Sequence, residues 1–371
     1  MKTSAILLIL AFSAACASAP PGKASPAAAA RAAYDAPPAA PHGIDVQIDA
    51  RAAREILESL SRPRYDPQDA RLLEDLPAVR LTIQDSTRSN DIFERDFAAA
   101  FEENTRASVF DFRTIRKERD RWKVLLDAVV SREKDLVRLA SQRAAGLLPG
   151  DRPVNARVRV YLSFGLAGLA DHLVLPSTEG EDRMVVDLAR ALGESLGEPL
   201  ESQVSRLARL VGGEAFRQAW AIYRRDNPAW GRPPPQTVPI DLLMRAVAEA
   251  GPAAVFSVDE SFFPLSVWLK APMKRSIDEL NRRAERFAQA QDNLEARVEL
   301  TTELRRPEFM RQLAGPAGAF LTDAIIQTAG LEALRAALQK GPKAFFQAYD
   351  QACESDRSLI PLSHVLRDRL K

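Results

Sequence analysis

The residues whose types and spacing could do chemistry lie between residues 210 and 230, in the stretch LVGGEAFRQAWAIYRRDNPAW. Glu214 and Arg217 are three residues apart, so in a helix they share one face. A second, apolar stripe at helical spacing, which we expect in the core, consists of Phe216, Trp220 and Tyr223. A Glu–Arg pair at this spacing is commonly a surface ion pair worth about 0.2–0.5 kcal/mol. Any larger role depends on what the rest of the chain brings to it.

Other catalytic chemistries find little support in the sequence. The three histidines, His42, His172 and His364, are too far apart to form a local metal pair, and we expect His172 to be structural. The chain has no Gly-rich phosphate loop, no G-x-S-x-G elbow, no CxxC pair and no EF-hand loop. A carboxylate pair for glycoside chemistry stays open, because so many acids always allow one. The formal net charge of +1 gives no field that would favour nucleic acid.

The N-terminus has the order of a secretory signal that ends in a lipidation site. Lys2 gives a positive start, residues 5–12 form an apolar core too short to span a bilayer, and small residues follow. Residues 13–16 resemble a bacterial lipobox, although a Ser stands at its first position, where Leu is usual. We therefore predict a signal peptide over residues 1–19 and acylation at Cys16. The rival is simple secretion after cleavage at an Ala-x-Ala site, which the following Pro20 disfavours.

Residues 20–43 are rich in Ala and Pro and cannot bury a core, so we predict a flexible or extended tether that leaves His42 exposed to solvent. No Asp follows Cys16, which resembles lipoproteins sorted to the outer membrane of bacteria that have one. The predicted location is outside the cytoplasm, on a membrane, through a lipid anchor. Cys353, which is far from Cys16, is expected as a small buried hydrophobe.

Periodicity over the rest of the chain predicts a mainly α fold with a small β-sheet (α+β). We expect an N-terminal helical part at 44–150 and a strand-plus-helix part at 151–371, together forming one globular unit. Strand-like alternation at 44–48, 154–164, 172–175 and 184–188 predicts a short strand and a small meander against helices. Helices are predicted over residues 50–60, 86–105, 113–147, 188–197, 199–226, 240–250, 272–303, 315–329, 331–340 and 342–354.

This order of elements resembles the gluzincin-like zinc-dependent peptidases of bacteria, families with a peptidase-MA-like domain. These begin with a helical part, followed by a strand pair, an HExxH helix, a third-ligand helix with a Glu-Gly-x-Ala-like motif, and a closing segment with a Phe-Phe-x-x-Tyr-like tail. The corresponding segments here are Arg157–Phe164 with Met184–Leu188, Gly213-Glu214-Ala215-Phe216-Arg217, Asp241–Ala254 with Glu249 at the acidic position, and Ala314–Gly330 with Phe345–Tyr349. The resemblance covers about Ala50–Tyr349.

The departures from this pattern carry the main inference. In HExxH the two His bind zinc and the Glu polarises the attacking water. Here Gly213 offers no ligand, and Arg217 keeps its proton and has no lone pair to give. Glu214 and Glu249 alone supply too few ligands for a tight zinc site. We therefore expect a salt-bridged plug of Glu214, Arg217 and Glu249 where the metal would lie.

The sequence predicts a catalytically inactive, metallopeptidase-like lipoprotein that has no cofactor. Its predicted function is to bind an unidentified protein or peptide. One alternative is an active hydrolase with a non-standard metal site, the only case in which zinc is implied. Another is a helical interaction module unrelated to peptidases. A further reading of the central stretch is that Gly212 and Gly213 break the helix, because paired glycines cost about 2 kcal/mol relative to Ala in a helix interior.

Overall fold

The computed structural model describes residues 42–85, 90–102, 109–166, 171–175, 181–193, 197–231, 239–258, 267–290 and 293–371. The predicted signal peptide, the acylation site at Cys16 and nearly all of the tether lie outside these residues. Among the described residues, no helix is both long enough and apolar enough to cross a membrane.

One four-stranded sheet organises the fold. Its strands are β1 (Gly43–Asp49), β2 (Asn155–Ser163), β3 (His172–Leu175) and β4 (Glu181–Asp187), in the spatial order β1-β2-β4-β3. β2 pairs in parallel with both β1 and β4, and β3 is an antiparallel outer strand on β4. The predicted meander is therefore wrong, although all four strands were predicted. Parallel pairing of β1 with β2 requires a crossover, which the helices between them provide.

The first group of helices forms that crossover: α1 (Arg51–Ser61), α2 (Pro67–Glu74), α3 (Pro77–Asp85), α4 (Asn90–Ala99), α5 (Phe112–Lys117), α6 (Arg119–Ser131) and α7 (Glu133–Gly146). The single helix predicted over 113–147 is thus three, since the chain leaves helical geometry at Glu118 and Arg132. α2 and α3, each of which starts at a Pro, were missed.

The second group follows the sheet: α8 (Leu188–Leu192), α9 (Leu200–Asp226), α10 (Pro239–Val258), α11 (Val267–Gln289), α12 (Leu294–Leu304), α13 (Pro307–Phe309), α14 (Gly315–Ala329), α15 (Leu331–Lys340), α16 (Pro342–Ser355) and α17 (His364–Asp368). A π-helical turn at Met310–Ala314 joins α13 to α14, and a 3₁₀ turn at Pro228–Trp230 follows α9. The predicted helix over 272–303 is divided into α11 and α12. The mainly α fold with a small sheet is confirmed.

The sheet is covered on the face that carries Val158, Val160 and Leu162, which are all fully buried. α9 lies against β2 and packs closely along α7. Gly212 makes this close packing possible, because a Cβ there would lie 3.0 Å from the carbonyl oxygen of Ala140 in α7. The alternative that the glycines break the helix is therefore wrong: α9 runs unbroken and ends before Asn227-Pro228.

The C-terminal helices pack around α14, most of whose residues are buried. α10 approaches α14 so closely that a Cβ on Gly251 would lie 2.6 Å from the backbone of Gly318. Phe345, Phe346 and Tyr349 of α16 are fully buried, as expected for a packing role. One continuous core cluster runs from Val46 to Leu370, so the predicted N-terminal and C-terminal parts share a core.

Candidate functional site

Glu214 and Arg217 lie in the middle of α9, where that helix passes under the sheet. The guanidinium of Arg217 grips the carboxylate with two bonds, Nε to Oε2 at 2.9 Å and Nη2 to Oε1 at 2.7 Å. The Glu214 side chain is only 5% exposed, whereas that of Arg217 is 50% exposed. The pair is therefore a buried carboxylate held by a cation at the surface, which is a different arrangement from the ordinary surface ion pair.

Burial dominates the electrostatics of this pair. Desolvation raises the pKa of Glu214 above its ordinary value, although the bond from Arg217 opposes that rise. Desolvation alone would lower the pKa of Arg217, but the bond to Glu214 and the charge of Asp182 outweigh it and raise that pKa. Arg217 is thus a fixed cation, and it offers no lone pair to a metal.

Two residues of the sheet contribute to the electrostatic environment of Glu214. Asp182 of β4 raises its pKa, and His172 of β3 lowers it, so both lie within electrostatic reach of the carboxylate. The strand register places them on one sheet face, because Asp182 pairs with Val158 and His172 pairs with Val186. The Nδ1 atom of His172 is 2.6 Å from the Oδ1 of Asp171, and this contact holds the pKa of Asp171 below its ordinary value.

Glu249 of α10 takes part in a different ion pair. Its Oε1 lies 2.6 Å from Nη1 of Arg224 and accepts a hydrogen bond of 2.7 Å from Nε of Arg245. Arg224 is seven residues beyond Arg217 on α9, about 10 Å along the helix axis. The predicted plug of Glu214, Arg217 and Glu249 is therefore wrong in its third member, because Glu249 pairs with Arg224 and Arg245 instead. Glu214 is held by Arg217, three residues further along its own helix. Glu249 is held by Arg224 of α9 and by Arg245, four residues before it on its own helix.

The aromatic stripe of α9 is core, as predicted. Phe216, Trp220 and Tyr223 are at most 1% exposed and stack along the helix, with ring centroids 6.2 and 5.5 Å apart. The indole N–H of Trp220 donates to the backbone carbonyl of Glu249 at 3.0 Å. This bond joins α9 to α10 and fixes the backbone beside the second ion pair.

One protein family matches this arrangement. The family model described as "Putative zinc dependent peptidase (DUF5700)" matches residues 71–358, which is most of the chain and includes strands β2 to β4, α9 and α10. The chain belongs to this family. No curated protein and no solved structure matches it. The family's description implies zinc, so the residues present at the site can be tested against that metal.

The donor set does not fit the zinc that the family name implies. A zinc site needs at least three protein ligands from His, Cys, Asp or Glu. At the two positions that flank Glu214 in the HExxH spacing, this family member has Gly213 and Arg217, which give no lone pair. Glu214 is engaged by Arg217, and Glu249 by two arginines. Across the described part of the chain, no group of three such side chains could hold a metal ion.

Sequence reasoning missed the residues that come to Glu214 and Glu249 from other elements. Asp182 and His172 join Glu214 only through the sheet register, which has no local sequence signal. Arg245 could have been found, because it lies four residues before Glu249 on the same helix. His172, which was expected to be structural, is one-third exposed and paired with a carboxylate near the pair on α9.

Proposed function

We propose that this chain is a catalytically inactive member of its peptidase family that is anchored outside the cytoplasm by a lipid on Cys16. In this proposal it acts by binding a protein or peptide. The observation that carries the proposal is the bidentate bond between the buried carboxylate of Glu214 and Arg217. In this proposal, the guanidinium of Arg217 stands where the second metal-binding imidazole stands in the HExxH spacing.

The same bond also argues against Glu214 as a general base. A catalytic carboxylate must accept a proton from a bound water within hydrogen-bond reach. Both carboxylate oxygens of Glu214 already accept a hydrogen bond from Arg217, and the side chain is only 5% exposed, so a water has little access to their remaining lone pairs. The alternative of an active hydrolase with a non-standard metal site has no donor set among the described residues to support it.

The outer position of β3 supports a binding role. In the order β1-β2-β4-β3, this strand ends the sheet and pairs with β4. An extended peptide can add to an outer strand through main-chain hydrogen bonds. The side chains of β3 are half-buried, and His172 at its start lies near Glu214.

The decisive experiment compares binding with cleavage. The full chain is incubated with a reduced, carboxymethylated polypeptide; complex formation is followed by fluorescence anisotropy and hydrolysis by mass spectrometry. We expect binding without cleavage in the native chain and in Glu214→Gln. The matched control is Glu354→Gln, an exposed glutamate on α16. Cleavage that stops with Glu214→Gln but continues with Glu354→Gln would show an active peptidase.

The proposed anchor has its own test. Cys16→Ser removes the thiol that would carry the lipid, and stable anchoring depends on the acyl chains. The substituted protein should leave the membrane fraction, while Cys353→Ser, in the folded part, should fractionate like the native chain. If Cys16→Ser stays in the membrane fraction, the protein is held there by something other than a lipid on Cys16.

A further inference from the structure

A basic cavity lies on the side of the molecule formed by α4, α5 and α6. It has a volume of about 470 Å³, and its lining includes Phe101 and Glu102 beyond the end of α4, together with four cations and Asp120. The cations are Arg113, Arg116, Lys117 and Arg119. Among the described residues, four basic and two acidic side chains line the cavity, which is an excess of two positive charges. We refer to it as the α4–α5 cavity.

Arg116 places a cation in this cavity that its bonded partners do not neutralise. Its Nε donates to the carbonyl of Leu60 at 3.2 Å, Nη1 to that of Ala100 at 3.4 Å, and Nη2 to those of Arg62 and Pro63 at 3.1 and 3.5 Å. Backbone carbonyls satisfy the hydrogen bonds of a guanidinium but carry no net charge. Of its five N–H hydrogens, these bonds leave one on Nη1 for a ligand.

The electrostatic environment of Arg116 is positive. Its guanidinium lies 4.3 Å from the centre of the Phe101 ring, which fixes its position. Partial burial lowers its pKa, and the nearby charge of Arg119 lowers it further. An anion entering the cavity would relieve this repulsion.

The two outer cations are available to a ligand. Lys117 is exposed and has no ion pair with any described residue. Arg119 is 41% exposed and pairs with Asp120 at 3.5 Å, and Asp120 is itself 93% exposed. An exposed pair of this kind contributes little to stability, so a stronger acceptor can replace Asp120.

We propose that the α4–α5 cavity binds a phosphate group, carried by a soluble phosphomonoester or by an anionic lipid headgroup. A phosphomonoester has a charge of about −1.5 to −2 at pH 7 and three acceptor oxygens, which matches an excess of two positive charges better than a single carboxylate does. Guanidinium groups bind phosphate oxygens through paired N–H bonds, and Lys117 adds a mobile ammonium. This proposal is independent of the proposed function of the chain.

The test uses the full chain and three probes: inorganic phosphate, acetate, and vesicles of phosphatidylcholine with or without phosphatidic acid, whose headgroup is a phosphomonoester. The site variant is Lys117→Glu with Arg119→Glu. Lys117 is exposed and the Arg119 side chain is 41% exposed, so the fold should tolerate both changes. The matched control, Lys123→Glu with Lys134→Glu, makes the same charge change at exposed positions outside the cavity lining. Calorimetry measures phosphate and acetate, and co-sedimentation measures vesicles.

We expect one phosphate site per chain, or binding to vesicles that depends on phosphatidic acid. In either case, binding should be weakened at least tenfold in the site variant and less than threefold in the control. Phosphate binding without vesicle preference identifies a soluble ligand, and vesicle preference identifies a headgroup. Three results would overturn the proposal: no binding of either phosphate probe, equal loss in both variants, or acetate binding as tight as phosphate binding.

Discussion

Replacing Arg217 with Leu tests the asymmetry of the ion pair on α9. The change removes the bidentate partner of a carboxylate that is only 5% exposed. Breaking a fully buried pair costs about 3–5 kcal/mol, and losing an exposed pair costs about 0–1 kcal/mol. Because Arg217 is half-exposed, solvent already screens part of the interaction. We therefore expect Arg217→Leu to lower the free energy of unfolding by about 2 kcal/mol at pH 7, between these limits.

The pH dependence of this loss follows from the pKa of Glu214. Burial already raises that pKa, and removing Arg217 removes a group that lowers it, so it rises further. A group whose pKa is raised in the folded state favours folding below its unfolded pKa, and this contribution is lost as the pH rises through the folded pKa. The cost of Arg217→Leu should therefore be largest near pH 8 and should shrink as the pH falls toward the ordinary pKa of Glu, about 4.3.

Urea denaturation of the native chain and four variants at several pH values measures these effects. Glu214→Gln leaves a half-exposed cation that water can solvate, so it should cost less than Arg217→Leu. The double variant should recover part of the loss, because no buried charge remains. Arg225→Leu is the control, since it breaks an exposed pair with Asp226 on the same helix and should cost less than about 1 kcal/mol. Equal, pH-independent losses for Arg217→Leu and Arg225→Leu would refute the argument.

Three further predictions concern the sheet, the helix packing and the N-terminal end of the fold. Val160→Asp should destabilise the chain by more than about 3 kcal/mol in thermal or urea unfolding, because this side chain is fully buried. Arg159→Asp, on the other face of the strand, should cost far less, and similar losses for the two variants would contradict the strand register. Gly251→Ala should cost about 1–3 kcal/mol, because its Cβ would clash with the backbone of α14. The control, Gly197→Ala, has open space around it and should change the Tm little. A neutral effect of Gly251→Ala would contradict the close approach of α10 to α14. Burial and, to a lesser extent, the nearby charge of a guanidinium lower the pKa of His42. Protonation of His42 therefore opposes folding, and the native chain should lose stability as the pH falls through about 6.5. His42→Gln should lose less stability over that range, and an unchanged pH profile would contradict this assignment.

Much of the fold was accessible from the sequence because its signals are local. The alternation in 154–164 predicted β2, and the helical spacing of buried residues predicted α9 and α14 to α16 nearly to their ends. The pairing of the strands was not accessible, because β1 meets β2 only after a crossover of seven helices. His42 illustrates the same limit. Its Ala/Pro-rich surroundings predicted exposure, but the ring is half-buried beside Arg335 at the start of β1.

At the candidate site, too, one contact could be predicted from the sequence and another could not. The spacing of Glu214 and Arg217 predicted their contact, because three residues in a helix bring two side chains together. The partner of Glu249 was predicted wrongly, since resemblance to a metal site placed it opposite Arg217. The structure instead gives it Arg245 from its own helix and Arg224 from α9. Contacts between two helices depend on the rotation of each helix about its axis and on its shift along that axis. Residue spacing within one helix encodes neither quantity.

The most direct test of the central claim is a zinc titration of the purified, metal-stripped full chain by calorimetry at pH 7.5, with Glu214→Gln in parallel. The account predicts no saturable site of about one zinc per chain in either protein, because Gly213 and Arg217 provide no ligands and Glu214 is held by Arg217. One equivalent of zinc bound by the native chain, with affinity reduced in Glu214→Gln, would contradict it and would place a functional metal site at α9.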